Sequence, residues 1–433
     1  MTRLLQIDGG HRLEGEVRTA GSKNAALPIM VASLLTRDAC HLSNIPLLAD
    51  VDNTLAILAD IGVSVERDEG NVVLQSAADP GSEIPEDRAR KMRASLLFMG
   101  PLLARTGRAV VPKPGGDDIG MRRVDQHVYG LLQLGARVEE DHNSFICTVD
   151  HLHGADINLD MPTVTGTENI MMAACLADGR TTIVNAAREP HVADLAAALK
   201  SMGAQISGAG SDRVEIDGVA ALTGADHRVT PDYLEAGTYA LAAAAAGGDV
   251  YITDAPVADL RSLVLKLRHA AVDVEVGETW MRVRREGEIH PVDLITWTHP
   301  GFATDLQPQY TALMTQASGA AVIQEFLFEH RFSYIPELVR MGAEVEVAAH
   351  GRSIRVLGPT NLRAADVTIP DIRSGAALLI GALCAEGQSH LSGIEHLERG
   401  YEDMTGKLSR LGSLVEEVRG TRDLEGVQAP ATE

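Results

Sequence analysis

The sequence predicts an α/β fold of six similar units, grouped as two domains of three. One observation is a repeated turn, in which a helix-like stretch runs through a small residue into a short strand. It reads LADIGVSVE around Gly62, LLQLGARVE around Gly135, LKSMGAQIS around Gly203, LRHAAVDVE around Ala271, LVRMGAEVE around Gly342 and LSRLGSLVE around Gly412. A second observation is an independent repeat out of phase with the first. An Ala-rich helix recurs at KNAALPIMVASLL, RASLLFMGPLLARTG, TENIMMAACLADG, GTYALAAAAAGG, DLQPQYTALMTQASG and SGAALLIGALCAEG. Helical and strand periods alternate throughout, which is the α/β pattern.

Each element follows from local chemistry. Gly after the last helical turn takes the left-handed cap, and Ala271 is the exception among the six turns. Gly107, Gly179, Gly248, Gly319 and Gly387 close five of the Ala-rich helices. The strands that follow, including TTIVNA, DVYITDA and AVIQEF, have the β-branched content of buried strands. The copies recur about every 70 residues, longer than the roughly 20–50 of solenoids, so two domains are expected rather than a rod. Six even spacings also argue against a pattern that merely marks any helix-to-strand turn.

The bulk numbers agree. A chain of 433 residues exceeds one ordinary core. Apolar residues at 45% suffice for two, while aromatics at 3% do not suit base stacking. A net charge of −22 disfavours nucleic acid and anionic membranes, so an anionic substrate needs a local basic island. MTRLLQIDGG lacks the apolar core of a signal peptide, and no apolar run is long enough to span a membrane. Cys40, Cys147, Cys175 and Cys384 are scattered and the 15 His form no HExxH, so no metal, no cofactor and a reducing cytoplasm are expected.

Candidate chemistry sits in three places. Ser22-Lys23-Asn24, Met92-Arg93, Thr165-Gly166-Thr167, Glu235-Ala236-Gly237-Thr238, Thr304-Asp305 and Asp371-Ile372-Arg373 precede the Ala-rich helices. Helix starts present free N–H groups and a positive dipole end, suited to phosphate or carboxylate. Any one could be only a cap; as a set, carrying Lys and Arg, they suggest convergence on an anion. The segment Pro112–His127, PKPGGDDIGMRRVDQH, joins a Gly-Gly turn to two acids and Arg122-Arg123. Its acids are either proton donors or structural ion-pair partners. HLERGYED, from His396 to Asp403, offers an Arg at a last helix start.

At these residues the chain resembles the UDP-N-acetylglucosamine enolpyruvyl transferases (1-carboxyvinyltransferases). LEGEVRTAGSKNAALP, TVTGTENIMMAA, NAAREPHVADL, ATDLQPQYTAL, FEHRFSYIPEL and RGYED carry the likeness, in order, up to about Arg419. The resemblance implies an inside-out α/β barrel fold: two domains, each of three βαβαββ units around a pseudo-threefold axis. It implies domains at 1–22 plus 231–419 and at 23–230; the tail GTRDLEGVQAPATE, 420–433, lies beyond the likeness and reads as disordered. It implies enolpyruvyl transfer from phosphoenolpyruvate to the 3'-hydroxyl of UDP-N-acetylglucosamine, early in peptidoglycan synthesis.

By the same resemblance Lys23, Asn24, Arg122 and Arg399 hold phosphoenolpyruvate. The UDP-sugar contacts Asn24, Arg93, the stretch Arg122, Arg123, Val124, Asp125 and Gln126, the loop Pro162, Thr163, Val164, Thr165 and Gly166, and Asp305, Leu327 and Arg373. Asp117, Asp305 and Lys23 are the catalytic set. Most members carry cysteine where this chain has Asp117, and that cysteine is what fosfomycin alkylates, so resistance is expected. A carboxyl must be protonated to act as an acid, and Arg122 nearby would oppose this unless burial raises it. Arg123, Gln126 and Tyr233 also depart from the family pattern, leaving open a paralogue with another nucleotide acceptor. A catalytically inactive UDP-sugar-binding protein is disfavoured by the joint presence of Lys23, Arg122, Asp305 and Arg399. Shikimate 3-phosphate as acceptor is disfavoured by SKNAALP.

Overall fold

The computed structural model describes residues 2–420. Its named strands form six small sheets, five of four strands and one of three. The strand Gly248–Thr253 runs parallel to Leu13–Arg18 and antiparallel to Trp280–Arg285, which pairs antiparallel with Asp273–Val276. Arg180–Val184 repeats this order with Asp156–Asn158, Arg213–Asp217 and Gln205–Ser207. The three-stranded sheet, Arg108–Pro112 with Ser144–Thr148 and Arg137–Glu140, has a single parallel bridge, Glu83 to Val110, where the others have a strand. The sixfold repeat in the sequence is thus a sixfold repeat of one sheet topology. Among the described residues no sheet closes into a barrel, because each has only three or four strands.

The Ala-rich helices lie inside, while helices such as Arg261–His269 keep one face exposed. Every residue of the helix Tyr233–Ala246 except Ala246 is buried, and every residue of Ile372–Cys384 except Cys384. A helix apolar all round is a core helix. Small residues let these helices approach closely: a Cβ on Gly100 would sit 2.3 Å from the Asn169 carbonyl oxygen. The strand Gly248–Thr253 instead alternates buried with half-buried positions.

The turns behave as their chemistry requires. Gly62, Gly135, Gly203, Gly342 and Gly412 have φ between 88° and 99°, and Ala271 adopts φ 64° in the same place. Four helix starts differ from expectation: the third begins at Val164, so Thr165, Gly166 and Thr167 lie in its first turn rather than before it. The fourth begins at Tyr233, capped by Asp232, so Glu235 lies in its first turn rather than before it. There it is buried and accepts from Lys407 Nζ at 2.6 Å and from Ala20 N at 2.7 Å. The second and fifth open as 3-10 turns, Arg93–Phe98 and Thr304–Leu306.

Two hydrophobic clusters form. One spans Ala25 to Val229; the other joins Leu5, Ile7, Leu13 and Val17 to residues between Tyr233 and Val415. The first strand, Thr2–Asp8, pairs with the last, Leu414–Gly420, which draws the chain start into the second cluster. The two crossings run side by side, Ser22 N donating to Thr230 O at 2.8 Å and Asp232 N to Ala20 O at 2.8 Å. Residue 420, expected in a disordered tail, ends the strand; 421–433 lie outside the described residues. Among the described residues no helix is long and apolar enough to cross a membrane.

Candidate active site

All six helix starts face one cavity of about 560 Å³. Lys23, Arg93, Val164, Tyr233, Asp305 and Arg373, one from each start, line it. The convergence follows from the repeat: six like units packed with helices inward point their equivalent N-terminal ends at common ground.

The cavity floor is a chain of ion pairs. Lys23 Nζ lies 3.1 Å from Asp50 Oδ2, and Asp50 Oδ1 accepts from Arg399 Nε at 2.9 Å. Arg399 Nη1 then donates to Asp117 Oδ1 at 2.7 Å, and His396 Nδ1 lies 3.7 Å from the same oxygen. Asp117 rides on the Gly115-Gly116 turn. A Cβ at Gly115 would fall 1.8 Å from the Arg90 carbonyl oxygen, and Gly116 has φ 109°, so both positions require glycine.

Burial alone would raise the Asp117 carboxyl. His396, Arg399 and Lys23 overcome it and hold the group well below the usual carboxylate range. Arg122, the cation expected near Asp117, does feel its charge but makes no ion pair with it. The cation paired directly with it is Arg399, from the far end of the chain.

Asp305 lies on the second cluster's side of the cavity. Its Oδ1 accepts from Arg331, and its Oδ2 from Arg373 Nε at 3.2 Å. Burial raises this carboxyl, but Arg331, Arg373 and Lys23 bring it down to about 2. It is an ionised group with a free face toward the cavity, as a proton acceptor must be. Arg373 also stacks over the Tyr401 ring at 5.2 Å.

Arg93 and Arg122 are cations short of anions. Burial, and then Arg122, push Arg93 down to about 10. Burial lowers Arg122 against the pull of Asp305 and Asp117. The Arg93 guanidinium donates to the Arg122 carbonyl and to that of Arg123 at 3.4 Å, which holds the 122–123 backbone against the 3-10 turn. An incoming phosphate would relieve both strained charges.

On the remaining wall, Gln126 clamps the 160–166 loop. Its Nε2 donates to Asp160 Oδ2 at 3.3 Å, and its Oε1 accepts from Asp160 N at 2.9 Å. His127, kept neutral by burial, which lowers it to about 3, lies 3.0 Å from Thr165 Oγ1. Asn24, Arg123, Asp125, Pro162, Thr163, Thr165 and Leu327 also line the cavity. Two expected contacts do not: Val124 lines a neighbouring hollow, and Gly166 is buried beneath the Thr163 side chain.

The chain matches the family model of EPSP synthase (3-phosphoshikimate 1-carboxyvinyltransferase) over residues 7–408. It is 46% identical, over 96% of its length and 99% of the relative's, to a UDP-N-acetylglucosamine 1-carboxyvinyltransferase of Sorangium cellulosum (strain So ce56). The chain belongs to the enolpyruvyl transferase family. Two solved structures agree. The enolpyruvyl transferase NikO from Streptomyces tendae is 25% identical, with TM-score 0.87 over 96% of this chain and 99% of that one. EPSP synthase from Acinetobacter baumannii, 16% identical, shows the shared fold at TM-score 0.75 over 97% of this chain and 100% of its own.

In this enolpyruvyl transferase, three charged residues escaped the sequence reading. Asp50 bridges two of the expected anion-binding cations, yet nothing in its local sequence marks it. Arg331 lies in the family-like FEHRFSYIPEL, and His396 in HLERGYED, but neither was given a role. Arg331 is 2% exposed and paired with Asp305, and burial of an arginine is invisible in sequence.

Proposed function

We propose that this protein transfers the enolpyruvyl group of phosphoenolpyruvate to the 3'-hydroxyl of UDP-N-acetylglucosamine, with release of phosphate. The observation that carries the reading is the convergence of six helix starts, with Lys23, Arg93, Arg122 and Arg399, on one cavity that also holds Asp117 and Asp305. The 46% identical relative supports UDP-N-acetylglucosamine as acceptor. The cavity is taken as the cleft between domains 23–230 and 1–22 plus 231–419, supported by the two separate cores.

Phosphoenolpyruvate carries up to three negative charges, so it needs cationic clamps. Lys23, Arg122 and Arg399 supply them, the first and last exchanging Asp50 and Asp117 for the ligand. The UDP-sugar runs from the 122–126 and 162–166 segments toward Asn24, Asp305 and Leu327. Addition joins the sugar oxygen to C2 while its proton passes to Asp305 and C3 gains a proton from Asp117. Elimination returns the C3 proton to Asp117, reforms the C2–C3 double bond and expels phosphate, which leaves with the proton held on Asp305. The product feeds cytoplasmic peptidoglycan precursor synthesis, and through it cell-wall biogenesis, cell shape and division. Neither metal nor cofactor is required.

A second reading, another nucleotide acceptor, draws on Arg123, Gln126 and Tyr233 and on the likeness to NikO. Phosphate release measured with phosphoenolpyruvate and a set of acceptors decides. Turnover with UDP-N-acetylglucosamine, without added metal, is expected. Turnover with UMP or shikimate 3-phosphate and none with the UDP-sugar would falsify the proposal.

A further inference from the structure

The proton chemistry proposed for Asp117 has an unsolved step. As an ion paired with Arg399, it has no proton to give. The groups that face it are His396, Arg399, Lys23 and Arg122, with Asp50 sharing Lys23 and Arg399; among them the imidazole is the one whose ordinary value, about 6.5, lies nearest neutrality. His396 sits on the short helix Glu395–Glu398, one turn before Arg399. Its Nδ1 is buried and has no hydrogen-bond partner among the described residues, an arrangement proteins rarely leave unexplained. That nitrogen lies 3.7 Å from Asp117 Oδ1, beyond hydrogen-bond length but within reach of a small side-chain shift.

Phosphoenolpyruvate changes the balance around this pair. On the proposed function, on which this inference rests, its phosphate and carboxylate draw Lys23 and Arg399 to themselves. Asp117 then loses the cations that held it ionised, and the His396 contact remains. We propose that His396 is the proton source for Asp117: with phosphoenolpyruvate bound, its Nδ1–H proton passes to the Asp117 carboxylate, which delivers it to C3.

The step balances. The proton leaves Nδ1, whose electron pair stays on a now neutral imidazole, and bonds to an Asp117 oxygen. The C2–C3 π pair takes that proton as the new C3–H bond while a lone pair of the sugar oxygen bonds C2. In elimination Asp117 recovers the C3 proton and His396 takes it back, so the pair is unchanged after each turnover. The nearby Asp117 carboxylate raises His396 above the ordinary imidazole value against the opposing effects of burial and Arg399, with Glu395 adding to the rise, which favours the protonated imidazole. His396 is a positioning and proton-supplying residue, acting through Asp117.

The test is the pH dependence of kcat for the wild type, His396→Gln and His396→Ala, each also placed on Asp117→Cys. A thiol carries its own proton at neutral pH, so it needs no supplier. On the Asp117 background, His396→Gln should lower kcat at pH 7.5 by about tenfold or more. It should leave the KM for phosphoenolpyruvate within a few fold and recover part of the lost activity as pH is lowered, because solvent then supplies more of the proton that His396 no longer gives. On the Asp117→Cys background the same change should cost little. Equal losses on both backgrounds would mean a structural role only, and a profile that superimposes on the wild type would also overturn the proposal. Unaltered turnover by Asp117→Ala would remove Asp117 as donor and the inference with it. An inactive wild type would instead overturn the proposed function.

Discussion

Asp117 is a carboxylate where the family resemblance places a thiol, and the two differ most as nucleophiles. A thiolate opens an epoxide readily; a carboxylate held below its usual range by Arg399 and His396 is a poor nucleophile. None of the four cysteines lines the cavity, and burial pushes Cys147, Cys175 and Cys384 up to about 12. Fosfomycin should therefore leave the wild type active, while Asp117→Cys becomes inactivated progressively with time. Mass spectrometry of both proteins after incubation checks this: a covalent adduct on the wild type would refute it. At this scale the sequence was informative about residue type. Lys23, Arg122, Asp305 and Arg399 stand in motifs that can be read locally. Asp50 does not, because its role is only to face two cations supplied from elsewhere.

The helix-to-strand turns show how far local chemistry reaches. Five take glycine at positive φ, and Ala271 takes the same conformation with a Cβ in place. A left-handed non-glycine residue costs about 1–2 kcal/mol, partly offset by the lower unfolded-state entropy of alanine. The position is exposed, so no packing is lost on removing the methyl. Ala271→Gly should raise stability by about 0.5–1 kcal/mol. Urea unfolding of the two proteins measures it, and an unchanged or lower midpoint would contradict the account. The fourth helix start was misread by a few residues although its signal was present. Asp232 with Glu235 three residues on has the spacing of a capping box, but Glu235 turns instead to Lys407 and Ala20. The expectation failed because a buried ion-pair partner 172 residues away cannot be seen from the helix.

Across the whole molecule, the two cores are tied through the cavity they share. Asp50 and Asp117 come from the segment of the first core, and Arg399 and His396 from the second. Asp117 is depressed, so its tie is at full strength above the ordinary carboxylate value of about 4 and is lost as pH falls toward the depressed one. Without substrates, the radius of gyration from small-angle scattering should stay constant from pH 6 down to about 4 and grow only as pH falls further toward the depressed value, with helical circular dichroism retained. Arg399→Ala should show the larger radius already at pH 7; a wild-type radius in that variant would show that these ties do not hold the halves together. The sequence by itself determined the repeat, the capped turns, the apolar helices and the stock of cations at helix starts, because periodicity and backbone propensity act over a few residues. Only the tertiary structure decided which charges meet. Asp50 and Arg399 are 349 residues apart, and Asp117 and Arg399 are 282 apart. Whether Asp117 is ionised depends on burial and on those partners, and neither exists until the chain has folded.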